Sequence, residues 1–100
     1  MSAQIYSREQ LAHDVVEIIK DMTQDWDLDF NGGIDVNTKL VGDLAFESID
    51  IVQFIVAMEE KFQRRGLPWE EVLMTDGRYV DEIIVDDAVR LLYSHLNTSV

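Results

Sequence analysis

Apolar residues recur at helical spacing in three stretches of the chain. Leu11, Val15, Ile18 and Met22 follow one another at intervals of four, three and four, which places them on one helical face. Ser7 and Gln10 have the spacing of a capping box, and Tyr6 is placed to staple onto Leu11 across the helix start. This predicts a first helix over about 8–23. Ile51, Ile55, Met58 and Phe62 repeat the same intervals, and Val52 and Val56 broaden the stripe. A second helix, from Ser48 to about residue 64, is therefore expected to be buried on two sides. Gly66 is its expected stop, and Arg64 and Arg65 suit its negative end. In the third stretch, 85–96, the pattern turns Val85, Ala88, Val89, Leu92 and Leu96 inward. Asp86 and Asp87 fall in its first turn, where the helix dipole favours them.

Between the first two helices lies a long polar segment, 24–46, punctuated by Gly32-Gly33 and closing on Gly42. Its apolar members, Trp26, Leu28, Phe30, Ile34, Val36 and Leu40, are too many for a floppy connector. They are expected to plug one open end of a bundle. Leu67-Pro68-Trp69-Glu70-Glu71-Val72 reads as a short helical turn with Pro68 at its first position. Asp76-Gly77 is a turn signal, so a small hairpin competes with helix over 72–81. No repeat, low-complexity tract or linker interrupts the chain. The expected architecture is a single all-α domain over 1–100, a four-helix bundle with a long loop between helices one and two.

Composition narrows the function classes. With 47% hydrophobic residues the chain can bury a core. Twenty acidic residues against eight basic ones give a formal net charge of −12. Such a surface disfavours phosphate backbones and anionic membranes, and it suits partners with basic docking faces and plain solubility equally. No apolar run approaches a membrane span, and MSAQIYSREQ lacks a basic start and an apolar core, so no signal peptide is visible. Cysteine is absent, which excludes disulfides and thiolate metal sites. The expectation is a cytoplasmic monomer.

Candidate chemistry is sparse. Asp27, Asp29, Asn31, Gly32, Ile34 and Asp35 fall in the register of a calcium-binding EF-hand loop. Thr38 stands where a bidentate glutamate is required, and no exit helix follows. A turn fits this Asp/Asn/Gly cluster better than a metal site. His13 and His95 have no partner at metal-ligand spacing. Met22, Met58 and Met74 read as core fillers, and Trp26 and Trp69 as core or rim packing. Glu59-Glu60 and Glu70-Glu71 are adjacent on helices and point different ways, so they do not form an acid/base pair. No nucleotide-binding glycine loop is present. Nothing here supports catalysis by the chain itself.

Ser48 stands apart. It opens the second helix, with carboxylates on both sides and no general base beside it. A plain N-cap accounts for such a serine, although Ile51 three residues on supplies only half of a capping box. The same helix end is also a favourable site for a phosphate ester, for which a separate enzyme can supply the base.

Here the sequence resembles the acyl carrier proteins. The resemblance runs through Leu40-Val-Gly-Asp43-Leu-Ala-Phe-Glu47-Ser48-Ile49-Asp50-Ile-Val52 and then Glu59-Glu60-Lys-Phe62. Ile34-Asp-Val-Asn-Thr38-Lys-Leu40, Leu67-Pro68 and Val85-Asp-Asp87-Ala88-Val89 extend it over most of the chain from Ile34 onward. In that family an Asp-Ser-Leu triplet opens the second of four helices, and its serine carries a 4′-phosphopantetheine arm taken from coenzyme A. The resemblance implies that Ser48 is the attachment point and a phosphopantetheinyl transferase the modifying partner. It implies a carrier and not an enzyme, holding acyl groups as thioesters for acyl-loading and acyl-processing enzymes.

Asp43, Glu47, Asp50, Glu59 and Glu60 are then the candidate docking residues for basic patches on those partners. Phe46, Ile49 and Val52 are candidates for shielding the cargo, against ordinary core packing. Glu47 and Ile49 replace the family's aspartate and leucine while keeping charge and apolarity. The segment 72–81 is longer than in members serving fatty acid synthesis, which points to polyketide or other specialised acyl biosynthesis. The Gly-Gly-His-Ser sequence of many peptidyl carriers is absent. An aminoacyl or peptidyl carrier, an unmodified interaction module of the same fold and a calcium-responsive helical protein stand as alternatives.

Overall fold

In a computed structural model, which describes residues 6–26 and 33–97, the chain is mostly helical with one small sheet. Helix α1 spans Arg8–Thr23, α2 Ser48–Phe62, α3 Glu70–Leu73 and α4 Val85–Leu96. Between α3 and α4, β1 (Met74–Thr75) pairs antiparallel with β2 (Arg78–Tyr79). The all-α expectation is amended at this hairpin. Asp76 and Gly77 both take positive φ (52° and 79°), the twist a two-residue turn between strands demands. Val80 N–H then donates to the Leu73 carbonyl at 2.9 Å, extending the pairing beyond the named strands.

Helix α1 packs against both α4 and α2. Ser7 caps it, its hydroxyl accepting from the Gln10 amide at 3.0 Å. The Gln10 side chain reaches forward to Asp14 and not back to Ser7, so only half of the expected capping box forms. The buried face is Leu11, Val15, Ile19 and Thr23. Ile18 and Met22, expected on that face, lie half-buried at its edge. The face continues in steps of four because Thr23 can go inside: its hydroxyl donates to the Ile19 carbonyl at 2.8 Å. The Tyr6 ring packs edge-on to Phe62, with centroids 5.6 Å apart.

Helix α2 ends at Phe62, short of the expected residue 64. Gln63 adopts the left-handed conformation, and the amides of Gln63 and Arg64 donate back to Glu60 and Glu59 carbonyls. Gly66, also at positive φ (72°), lies beyond that stop. Arg64 turns from its own helix end to the His95 carbonyl in the last turn of α4.

Helix α4 buries all five residues its pattern predicts, together with Leu91. Its first amides are satisfied by the α1–α2 connection: Val85 N–H donates to Thr38 O at 3.0 Å and Asp86 N–H to Val36 O at 2.9 Å. Leu40 N–H donates in return to Ile83 O at 2.9 Å, beside a bridge between Lys39 and Ile84. This stitching draws Leu40, Ile34 and Val36 onto the core, as their apolar character predicts. Leu28 and Phe30 lie outside the described residues. Among the described residues no helix is long and apolar enough to cross a membrane.

Candidate functional site at the start of α2

The approach to Ser48 is a tight turn over residues 39–46. Asp43 and Leu44 amides donate to Lys39 O, Ala45 to Val41 O and Phe46 to Leu40 O. The Asp43 carboxylate closes the same turn by accepting from Lys39 N–H at 2.9 Å. Ala45 sits at φ 58°, a left-handed conformation costing a non-glycine residue about 1 kcal/mol or more. It reverses the chain into Glu47, which the structure makes the N-cap of α2. Ser48 is therefore the first helical residue and not the cap.

That one-residue difference matters for chemistry. The cap of α2 is completed by Asp50, whose carboxylate accepts from Glu47 N–H at 2.8 Å. Ser48 is exposed, and among the described residues its hydroxyl has no hydrogen-bond partner. The first backbone bond of the helix runs from Ile51 N–H to Glu47 O at 3.0 Å. The amides of the first turn before it face outward at the positive end of a 15-residue helix.

Ser48 also shares the lining of a cleft of about 400 Å³. Ile51, Val52 and Ile55 form its α2 side, and Leu73, Tyr79, Val80 and Ile83 the opposite side. Behind it lies a void of about 10 Å³, reaching Phe54, Met58 and Trp69. Ile51, Ile55, Leu73 and Ile83 line both spaces and so partition the cleft from the core.

The candidate docking carboxylates divide into two sets. Asp43 and Asp50 hold backbone amides, as above. Glu59 is half-buried and accepts from Leu67 N–H at 3.3 Å and from the Trp69 indole at 3.1 Å, so it fastens α2 to the chain entering α3. Glu47 and Glu60 are exposed.

The apolar candidates divide as well. Phe46 is only 4% exposed and packs its ring on Trp26 and Phe54, with centroids 5.2 and 6.3 Å away. It belongs to the core and does not line the cleft. Ile49 is exposed on α2 away from the cleft lining, whereas Val52 lines it. The helix expected to be buried on two sides instead leaves Ile49, Val52 and Val56 at 58%, 54% and 47% exposure.

No protein-family model matches the chain, and no curated protein matches it either.

Of the calcium-loop positions, Asp27, Asp29, Asn31 and Gly32 lie outside the described residues. Asp35 and Thr38 form a turn: Asp35 Oδ1 accepts from Asn37 N–H and Thr38 Oγ1 from Asp35 N–H, both at 2.8 Å. Among the described residues no group of three or more His, Cys, Asp or Glu could hold a metal. His95 instead lies 3.2 Å from Glu71, tying α4 to α3.

Sequence reasoning missed two parts of this site. Leu73, Tyr79, Val80 and Ile83 become a cleft wall only once the hairpin folds, and Asp-Gly was the one signal for it. Glu82 carried no signal, because the Val41 and Gly42 amides that its carboxylate accepts, at 2.8 and 2.7 Å, lie about forty residues earlier in the chain.

Proposed function

We propose that the protein is a carrier whose Ser48 bears a 4′-phosphopantetheine arm, presenting acyl groups as thioesters to partner enzymes. The observation that carries this reading is the position of Ser48: an exposed hydroxyl, unpartnered among the described residues, at the first residue of α2 and on the edge of an apolar cleft. The motif order and spacing that resemble the acyl carrier proteins supply the identity of the arm. A four-helix carrier fold, with α3 and the hairpin standing between α2 and α4, is part of the same proposal.

The residues fit the group. A phosphodiester on Ser48 would face the outward amides of the first turn, where negative charge is favoured. The neighbouring Asp50 carboxylate accepts from Glu47 N–H, one residue before Ser48. The arm supplies a terminal thiol that carries the acyl group. The chain's own part is to hold the arm's root at a fixed point, keep the cleft walls apolar, and present Glu47 and Glu60 to basic partner surfaces. Docking through few exposed charges suits rapid exchange, since electrostatic steering raises association rate more than residence time.

The test is incubation with coenzyme A and several broad-specificity phosphopantetheinyl transferases, read by intact mass. Wild type should gain one phosphopantetheine and Ser48→Ala none. If no transferase adds mass to the wild type, the protein is an unmodified interaction module instead.

A further inference from the structure

Glu82 stands just before α4, in the segment that walls the cleft through Val80 and Ile83. Its carboxylate accepts three backbone amides: Val41 N–H at 2.8 Å, Gly42 N–H at 2.7 Å and Ile83 N–H at 3.1 Å. Val41 and Gly42 lie at the start of the turn that leads into Ser48. Every later amide of that turn, from Asp43 to Phe46, finds a carbonyl within it, whereas these two find none. One oxygen of Glu82 serves each, so the side chain acts as an N-cap delivered from the far end of the chain. The fit is close: a Cβ on Gly42 would come within 2.9 Å of Glu82 Oε1. The same turn contains left-handed Ala45, a conformation that persists only where the surroundings over-determine it.

We infer that Glu82 is a positioning residue for arm attachment: it fixes the 41–47 turn in the shape a phosphopantetheinyl transferase reads when it docks over Ser48. The inference rests on the carrier reading above. Glu82 does not touch the reacting hydroxyl. Without it, Val41 and Gly42 amides turn to water, the hold on Ala45 loosens, and the surface around Ser48 samples several shapes. Docking then carries the cost of selecting one of them, while the hydroxyl, once docked, reacts as before.

The experiment is steady-state transfer from coenzyme A to full-length wild type, Glu82→Ala, Glu82→Gln, Glu82→Asp and Val15→Ala, with amide hydrogen exchange on each. Glu82→Ala should raise the KM for the carrier about tenfold and leave kcat within about twofold. Glu82→Gln keeps the shape but sets an N–H₂ donor against one of the two amides, so it should fall close to the alanine variant. Glu82→Asp retains both acceptors on a shorter stem and should recover part of the loss. Exchange at Val41 and Gly42 should quicken in the Ala and Gln variants. Val15→Ala, a core truncation in α1 that removes no hydrogen bond of the turn, should lower the melting temperature with KM unchanged. An unchanged KM in Glu82→Ala, an equal rise in Val15→Ala, or full rescue by glutamine overturns the assignment while leaving the carrier intact. A wild type that accepts no arm removes both.

Discussion

Every aliphatic residue of α4 is sealed in the core, whereas those of α2 run from buried Met58 through half-buried Ile51 and Ile55 to exposed Ile49, Val52 and Val56. Both helices carry the apolar repeat of an amphipathic helix. They differ in what surrounds them. Helix α4 is enclosed by α1, α3 and the stitched α1–α2 connection. Helix α2 has α1 along one flank, and its opposite flank forms the wall of the cleft. A helix that keeps three β-branched residues at i, i+3 and i+7 in water has an apolar stripe that the fold does not consume. The repeat in α4 therefore reports stability, and the surplus in α2 marks surface kept for something else.

Truncation in α4 should test the contrast most sharply. Leu92 is fully buried, so Leu92→Ala should cost about 2–5 kcal/mol, enough to threaten the fold of a small domain. Chemical denaturation followed by circular dichroism measures it. A loss near 0.5 kcal/mol would mean that α4 is not the sealed element described, and the contrast with α2 would collapse.

Carboxylates on α2 extend the comparison to polar groups. Glu59 and Glu60 are adjacent in sequence, yet only Glu59 satisfies the Trp69 indole and the Leu67 amide. Glu59→Ala leaves both donors to find water and should cost about 1–3 kcal/mol. Because Trp69 is buried, its fluorescence should shift to longer wavelength in the native state. Glu60→Ala should stay within about 0.5 kcal/mol of wild type. Equal losses at the two positions would return Glu59 to the solvated face.

How much of this was legible beforehand follows from the range of the interactions. Helix α4 could be read in all but Leu91, because its burial depends on a local repeat. The hairpin was legible through Asp76-Gly77, whose paired positive φ values suit few other dipeptides. The end of α2 was not, because Gln63, an ordinary helix former, takes the left-handed cap ahead of Gly66. Ser48 could be picked out as a candidate, but not its place as first residue after a Glu47 cap. That assignment turns on one backbone hydrogen bond, from Ile51 N–H to Glu47 O, and on the extended backbone of Glu47. The hydrogen bonds of Asp43, Asp50 and Glu59 were not legible, since charge is visible in a sequence and the donor that meets it is not. Phe46 has the apolarity of a cleft residue, and only the rings of Trp26 and Phe54 around it reveal a core one.

The finest division lies within the exposed stripe itself. Val52 lines the cleft and Ile49 does not, although the two are similarly exposed. Valine and serine have similar helix propensities, so Val52→Ser should change stability by less than about 0.5 kcal/mol. In the arm-bearing protein loaded with an octanoyl group, however, Val52 contributes apolar wall to the chain in the cleft. Serine lacks both γ-carbons of valine; at about 0.8 kcal/mol for each, halved for a residue half in water, the change should release the chain roughly fourfold more often. Cleavage of the thioester by hydroxylamine should quicken by that factor in Val52→Ser and stay unchanged in Ile49→Ser. Equal rates in the two variants would mean that the cargo does not use the cleft. The stripe would then be one continuous docking face, and the distinction between its cleft side and its outer side would have no functional content.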